Sequence, residues 1–186
     1  MLGLSRDQRA TVPKYGSNVT PSPILTIAEI TALEQPYVAG DGPALGPARD
    51  ALASRWNSGL RDRETALRLA FMEWYSCSEP EFLTGLHDNY NGADGSRQSY
   101  FPEIFAHLSS PEHKDDEVRF VFGWMAKAFP WCCGHTAGNW EREGQSLWDQ
   151  WRQGGSDPQA SAFADRGAYG QYFAHIRASH PQATES

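Results

Sequence analysis

Apolar positions in this chain recur every three to four residues, and no segment alternates apolar with polar side chains over the length of a strand. The strongest case is 63–76. There Leu67, Ala70, Phe71, Trp74 and Cys77 keep the helical period while Leu69 and Met72 widen the apolar face, which predicts a helix buried on most sides. Val118, Val121 or Phe122, Met125 and Phe129 mark a second helix, and Trp140, Leu147, Trp148 and Trp151 a third over 137–153.

Shorter periodic stretches complete the set. Ile24, Ile27 and Leu33 predict a helix opened by Pro23 and stopped by Pro36; Leu52 and Trp56 predict one over 48–57; Phe101, Ile104, Phe105 and Leu108 predict one over 99–108. Phe163, Tyr169, Tyr172, Phe173 and Ile176 carry a last helical region to about Arg177, interrupted by Gly167 and Gly170, which either kink it or admit a neighbouring backbone. Ser78-Glu79-Pro80-Glu81 reads as a capping box ahead of a short helix bearing Phe82, Leu83 and Leu86. The pattern therefore predicts an all-α protein: one compact domain of seven or eight helices over 22–178. An extended or poorly ordered arm (1–21) precedes it and a polar tail (179–186) follows.

Composition sharpens this in two ways. Aromatic residues make up 12 % of the 186 positions, so the core is expected to rest on rings more than on aliphatic side chains. The net charge of −7 argues against a nucleic-acid surface, which needs clustered Lys and Arg to replace counterions, and favours steering toward a basic partner. No apolar run approaches the roughly 20 residues that span a bilayer, and the first residues lack the apolar core of a secretion signal. Three cysteines, two of them adjacent, do not suggest a disulfide framework, so the expectation is a cytoplasmic protein with reduced thiols.

Candidate chemistry gathers between Val118 and Arg152, which holds five of the seven tryptophans and, at one corner, Cys132, Cys133 and His135. Thiolate and imidazole suit zinc, with Cys77 available as a further ligand, but structural zinc sites space paired ligands two to four residues apart. A cysteine near a helix start is activated by the helix dipole, which gives an alternative reading of Cys133 as nucleophile and His135 as base. The adjacency of these residues fits packing better than either, so no catalytic or metal residue and no cofactor is assigned. Glu73, alone on an apolar helix, reads as a carboxylate that either faces solvent at a narrow polar seam or pairs with Arg68, ahead of an acid–base group. The polar loop 89–98 lacks the spacing of a calcium loop.

Glu112, Asp115, Asp116 and Glu117 crowd the start of the 118–129 helix, where they complement its dipole and offer a docking patch. Trp131 is the expected interface anchor, with Trp148 as another tryptophan open to exposure. The sequence thus points to a non-enzymatic, acidic protein-binding domain that recognises a basic surface, of which a bacterial toxin-neutralising (immunity-type) protein is one form. The alternative is a metal-binding or cysteine-dependent enzyme built on the 130–135 corner.

Overall fold

The central helix is buried along nearly its whole length. It is one of eight α-helices and two 3-10 turns in a computed structural model that describes residues 23–87, 99–110, 115–134, 137–154, 158 and 160–180. No strand occurs among the described residues. The helices are α1 (Ile27–Val38), α2 (Gly46–Asn57), α3 (Arg63–Ser78), α4 (Glu81–Thr84), α5 (Phe101–Leu108), α6 (Asp116–Ala128), α7 (Ala137–Gly154) and α8 (Gly167–Ser179). The 3-10 turns are Pro130–Cys133 and Ala160–Phe163. The expected arm, the 89–98 loop and positions 181–186 of the expected tail lie outside the described residues. Ser179 closes α8 and the His180 ring lies 4.9 Å from that of Trp124, so the start of the tail belongs to the packed domain.

Helix α3 starts where Asp62 accepts the Thr65 N–H at 2.9 Å, and every residue from Thr65 to Trp74 is buried. An aliphatic core would leave gaps around so large a cylinder; here rings fill them. Phe71 meets Tyr169, Tyr172 and Phe173 of α8 at centroid distances of 6.0, 5.4 and 5.8 Å, and the Trp74 indole donates to the Met125 carbonyl of α6 at 2.9 Å. Each buried ring contributes area and each polar ring atom that is buried needs such a partner.

Helices α6 and α7 form the closest pair. A Cβ on Gly123 would stand 2.9 Å from the Trp148 nitrogen, and one on Gly144 would stand 2.7 Å from three atoms of Ala126 and Lys127. Since 123 faces 148 while 144 faces 126, the two helices run antiparallel, with backbones in contact where the side chains are missing. Trp148 is accordingly buried, against the expectation that it stands open to a partner.

Three expectations about element ends are corrected. Helix α1 begins at Ile27, because Thr26 and Glu29 form a capping box that outcompetes the Pro23 signal. It runs through Pro36 to Val38, since a proline in the last turn deletes little of the ladder. The box expected at Ser78–Glu81 does not form: Ser78 ends α3, Glu79 is extended, and Pro80 precedes α4 with no side-chain cap. Of the two glycines of the last region, Gly167 opens α8 with φ +61, and Gly170 lies where a Cβ would meet the Phe163 carbonyl oxygen at 2.1 Å. Gly170 thus admits a neighbouring backbone, the second of the two expected roles, whereas Gly167 admits the Glu34 side chain at the helix start.

Candidate functional site

The corner after α6 is tied to the end of α3 by a covalent bond. Cys77, in the last turn of α3, and Cys132, in the 3-10 turn, form a disulfide with Cα atoms 5.4 Å apart. This corrects the expectation of three reduced thiols. It also withdraws the Cys132 thiolate from the metal and nucleophile readings. Cys133 stands outside the bond and is fully buried, its sulfur 3.9 Å from the Phe129 carbonyl oxygen, while His135 lies outside the described residues. Among the described residues no three His, Cys, Asp or Glu side chains converge as metal ligands would.

The segments that flank this bond expose three large apolar side chains. Trp131, between Pro130 and Cys132, is 58 % exposed and stands edge-on to Phe129 at 5.4 Å. Phe82 and Leu83 on α4 are 74 % and 52 % exposed. Periodicity alone groups them with Leu86 as a core face, but α4 is a single turn. Gly85, left-handed at φ 72, ends it with its N–H on the Glu81 carbonyl at 2.7 Å, while the Thr84 carbonyl accepts the Leu45 N–H at 3.0 Å. That docking turns Thr84 and Leu86 inward and leaves Phe82 and Leu83 outside.

The disulfide sets how far apart these groups lie. Residues advance at most about 3.5 Å each, so the Cα atoms of Phe82 and Trp131 are at most about 27 Å apart through the Cys77–Cys132 link. A recognition patch of about 800 Å² per partner is some 30 Å across, which is wide enough to span that distance. A cleft of about 350 Å³ lined by Ser76, Cys77, Ser78, Glu79, Pro80, Glu81 and Leu86 lies between α3 and α4. Glu81 pairs with His87 at 2.8 Å; no ion pair holds Glu79 among the described residues.

The predicted acidic patch is placed differently. Asp115 caps α6 through the Val118 N–H at 2.9 Å and pairs with Arg63 at 2.6 Å; Asp116 pairs with Arg119 at 2.6 Å. Glu117 is nearly buried and takes Arg63 at 2.8 Å and, at 2.5 Å each, Arg166 and the Tyr169 hydroxyl. Burial opposes its charge, but Arg166, the Tyr169 hydroxyl and Arg63 together hold its carboxyl below the usual range. Glu112 lies outside the described residues. Trp131 therefore faces solvent as expected, whereas Asp115, Asp116 and Glu117 carry cations supplied from within the fold.

The rest of that ionic cluster is internal. Arg166 grips Glu64 through three contacts of 2.5 to 3.1 Å. Arg68 and Glu34, both fully buried, pair directly, and Arg68 also donates to Thr31 at 2.8 Å. Burial pushes the Glu34 carboxyl up despite Arg68 and the Ala168 N–H. Glu73 is buried and does not face solvent; it is ion-paired, with Arg49 at 2.7 Å in place of Arg68, and it also accepts the Tyr100 N–H at 3.2 Å. Arg68 is occupied by Glu34, which explains the change of partner.

These elements define an all-α domain with an aromatic-rich core. Compared with family models, with curated proteins and with solved structures, the chain matches none. No described helix is long and apolar enough to cross a membrane.

Proposed function

We propose that this chain is a non-enzymatic recognition domain that docks a basic protein surface through its disulfide-tied end. The observation that carries the reading is the exposure of Trp131, Phe82 and Leu83 on segments that the Cys77–Cys132 bond ties together. Burying each against a partner is worth about 1.5–3 kcal/mol, and Trp is favoured at the centre of such contacts. Glu79 and Glu81 beside them supply negative charge, and an exposed indole attracts the Arg and Lys of a basic partner. The overall charge of −7 adds steering. Neutralisation of a basic toxin (an immunity-type role) is one form this recognition takes. A cytoplasmic setting is part of the proposal.

Photo-cross-linking amino acids at positions 82 and 131, with position 153 on α7 as control, test this in cells that express the chain. The expected result is one protein captured at both 82 and 131, not at 153, which then binds the purified chain with a salt-sensitive on-rate. Equal capture at all three positions, or none at 82 and 131, overturns the reading.

A further inference from the structure

The disulfide and the docking surface share their scaffold, and the two halves of the bond differ in exposure. Cys132 is fully buried in the 3-10 turn, whereas Cys77 is half-buried and lines the open cleft with Glu79 and Glu81. Of the two cysteines, Cys77 is therefore the one that a thiolate arriving from solvent meets first. A chain with this bond in a reducing cytoplasm would meet such thiolates continually. From these observations we infer that Cys77–Cys132 is a redox switch for the docking end, opened by a small dithiol or a protein of the dithiol-reductase class. The inference rests on the docking reading above.

The chemistry closes without further reactants. One thiolate of the reductant attacks the Cys77 sulfur, and the S–S bond breaks with Cys132 leaving as thiolate and taking up a proton. The reductant's second thiol then attacks its own sulfur in the mixed disulfide, releasing Cys77. Two electrons pass to the protein, which ends with two more thiols, and the reductant leaves as a cyclic disulfide. Cys133, outside the bond and buried, is not required.

Opening the bond removes the cross-link between the segments that carry the two anchors. Phe82 and Leu83 hang from the end of α3 through the extended Glu79 and Pro80. Trp131 sits on a 3-10 turn whose backbone bond of note is Cys132 N–H to the Phe129 carbonyl at 3.0 Å. With the link intact a covalent bond limits their spacing; without it α4 is held by contacts such as the Leu45 N–H bond to the Thr84 carbonyl, and the 3-10 turn by packing such as Phe129 against Trp74 at 5.6 Å. Reduction thus weakens partner docking without unfolding the α6–α7 pair.

The test uses the full chain, oxidised and after treatment with dithiothreitol at native pH. In denaturant, the oxidised chain is expected to show one titratable thiol and the reduced chain three. Hydrogen exchange in 79–87 and 129–134 is expected to quicken at least tenfold on reduction while 118–126 stays protected, and the Tm to fall by about 10 °C. Cys133→Ser is expected to switch like the natural chain. Because the comparison is between two redox states of the natural chain, it does not depend on a Cys77→Ser/Cys132→Ser chain folding. Three thiols in the oxidised chain, or unchanged exchange on reduction, overturn the switch. Loss of cross-linking at 82 and 131 in both redox states, with exchange still redox-dependent, overturns the docking reading alone.

Discussion

The carboxylate of Glu34 in α1 accepts the backbone N–H of Ala168 in α8 at 2.7 Å, across 134 positions of chain. Helix α8 has no side-chain cap of its own, and Gly167 at its first position lets the acid approach: a Cβ there would stand 1.9 Å from Glu34 Oε2. A buried carboxylate thus caps a distant helix, and its charge is balanced by Arg68.

Removing Arg68 leaves that carboxylate buried and uncompensated. Arg68→Met is expected to destabilise the fold by about 3–5 kcal/mol at pH 7. Burial already raises the Glu34 pKa above its unfolded value, and loss of Arg68 raises it further. A raised folded pKa gives stability that is present below the unfolded value near 4.5 and lost as pH rises through the folded one. The variant should therefore recover much of its loss between pH 7 and pH 4.5 in urea titrations. A loss of equal size across that range would count against an ionised, buried Glu34.

Glu117 responds in the opposite sense. Its carboxyl lies below the usual range, so its contribution is present above the unfolded value near 4.5 and lost as pH falls through the folded one. Glu117→Gln is expected to cost about 2 kcal/mol at pH 7, because Arg63 and Arg166 keep Asp115 and Glu64 as partners. Below pH 4.5 the natural chain should lose stability more steeply than the variant, as followed by circular dichroism. Parallel acid curves would remove Glu117 from the account.

The α6–α7 contact leaves no room for a methyl group. Gly144→Ala is expected to destabilise by about 1–3 kcal/mol although alanine is the better helix former by about 1 kcal/mol. Gly138→Ala, where a Cβ meets nothing within 4 Å on the same helix, is the control and should be neutral or stabilising. A Tm that rises in both variants would show that the two helices sit farther apart.

Trp131 separates binding from folding. Trp131→Ala is expected to change stability by no more than about 0.5 kcal/mol, since the ring is mostly in solvent. Its loss should nevertheless weaken the partner identified by cross-linking at least tenfold. A large drop in Tm with unchanged binding would make the residue a structural one.

How far the sequence speaks for itself varies by residue. The face of α3 is legible because seven of the ten positions from Thr65 to Trp74 are apolar, and the inner face of α6 because Val118, Val121, Phe122 and Met125 keep period. The exposure of Phe82 and Leu83 is not legible from periodicity, although Pro80 and Gly85 leave room for only one turn between them. The Cys77–Cys132 bond escapes spacing rules altogether, since it needs α3 and the 3-10 turn to be packed side by side across 55 positions. Glu117 sits in a run that reads as solvated charge. What buries it is Arg166, an arginine 49 positions on, which no local pattern connects to it.

The same bond has a topological consequence. Because Cys77 and Cys132 close a ring of chain around α4, α5 and α6, a single backbone cut between 78 and 131 yields two pieces that still travel as one molecule. On a gel without reductant the nicked chain would run as a full-length species, and only with reductant would it part into an amino-terminal and a carboxy-terminal fragment.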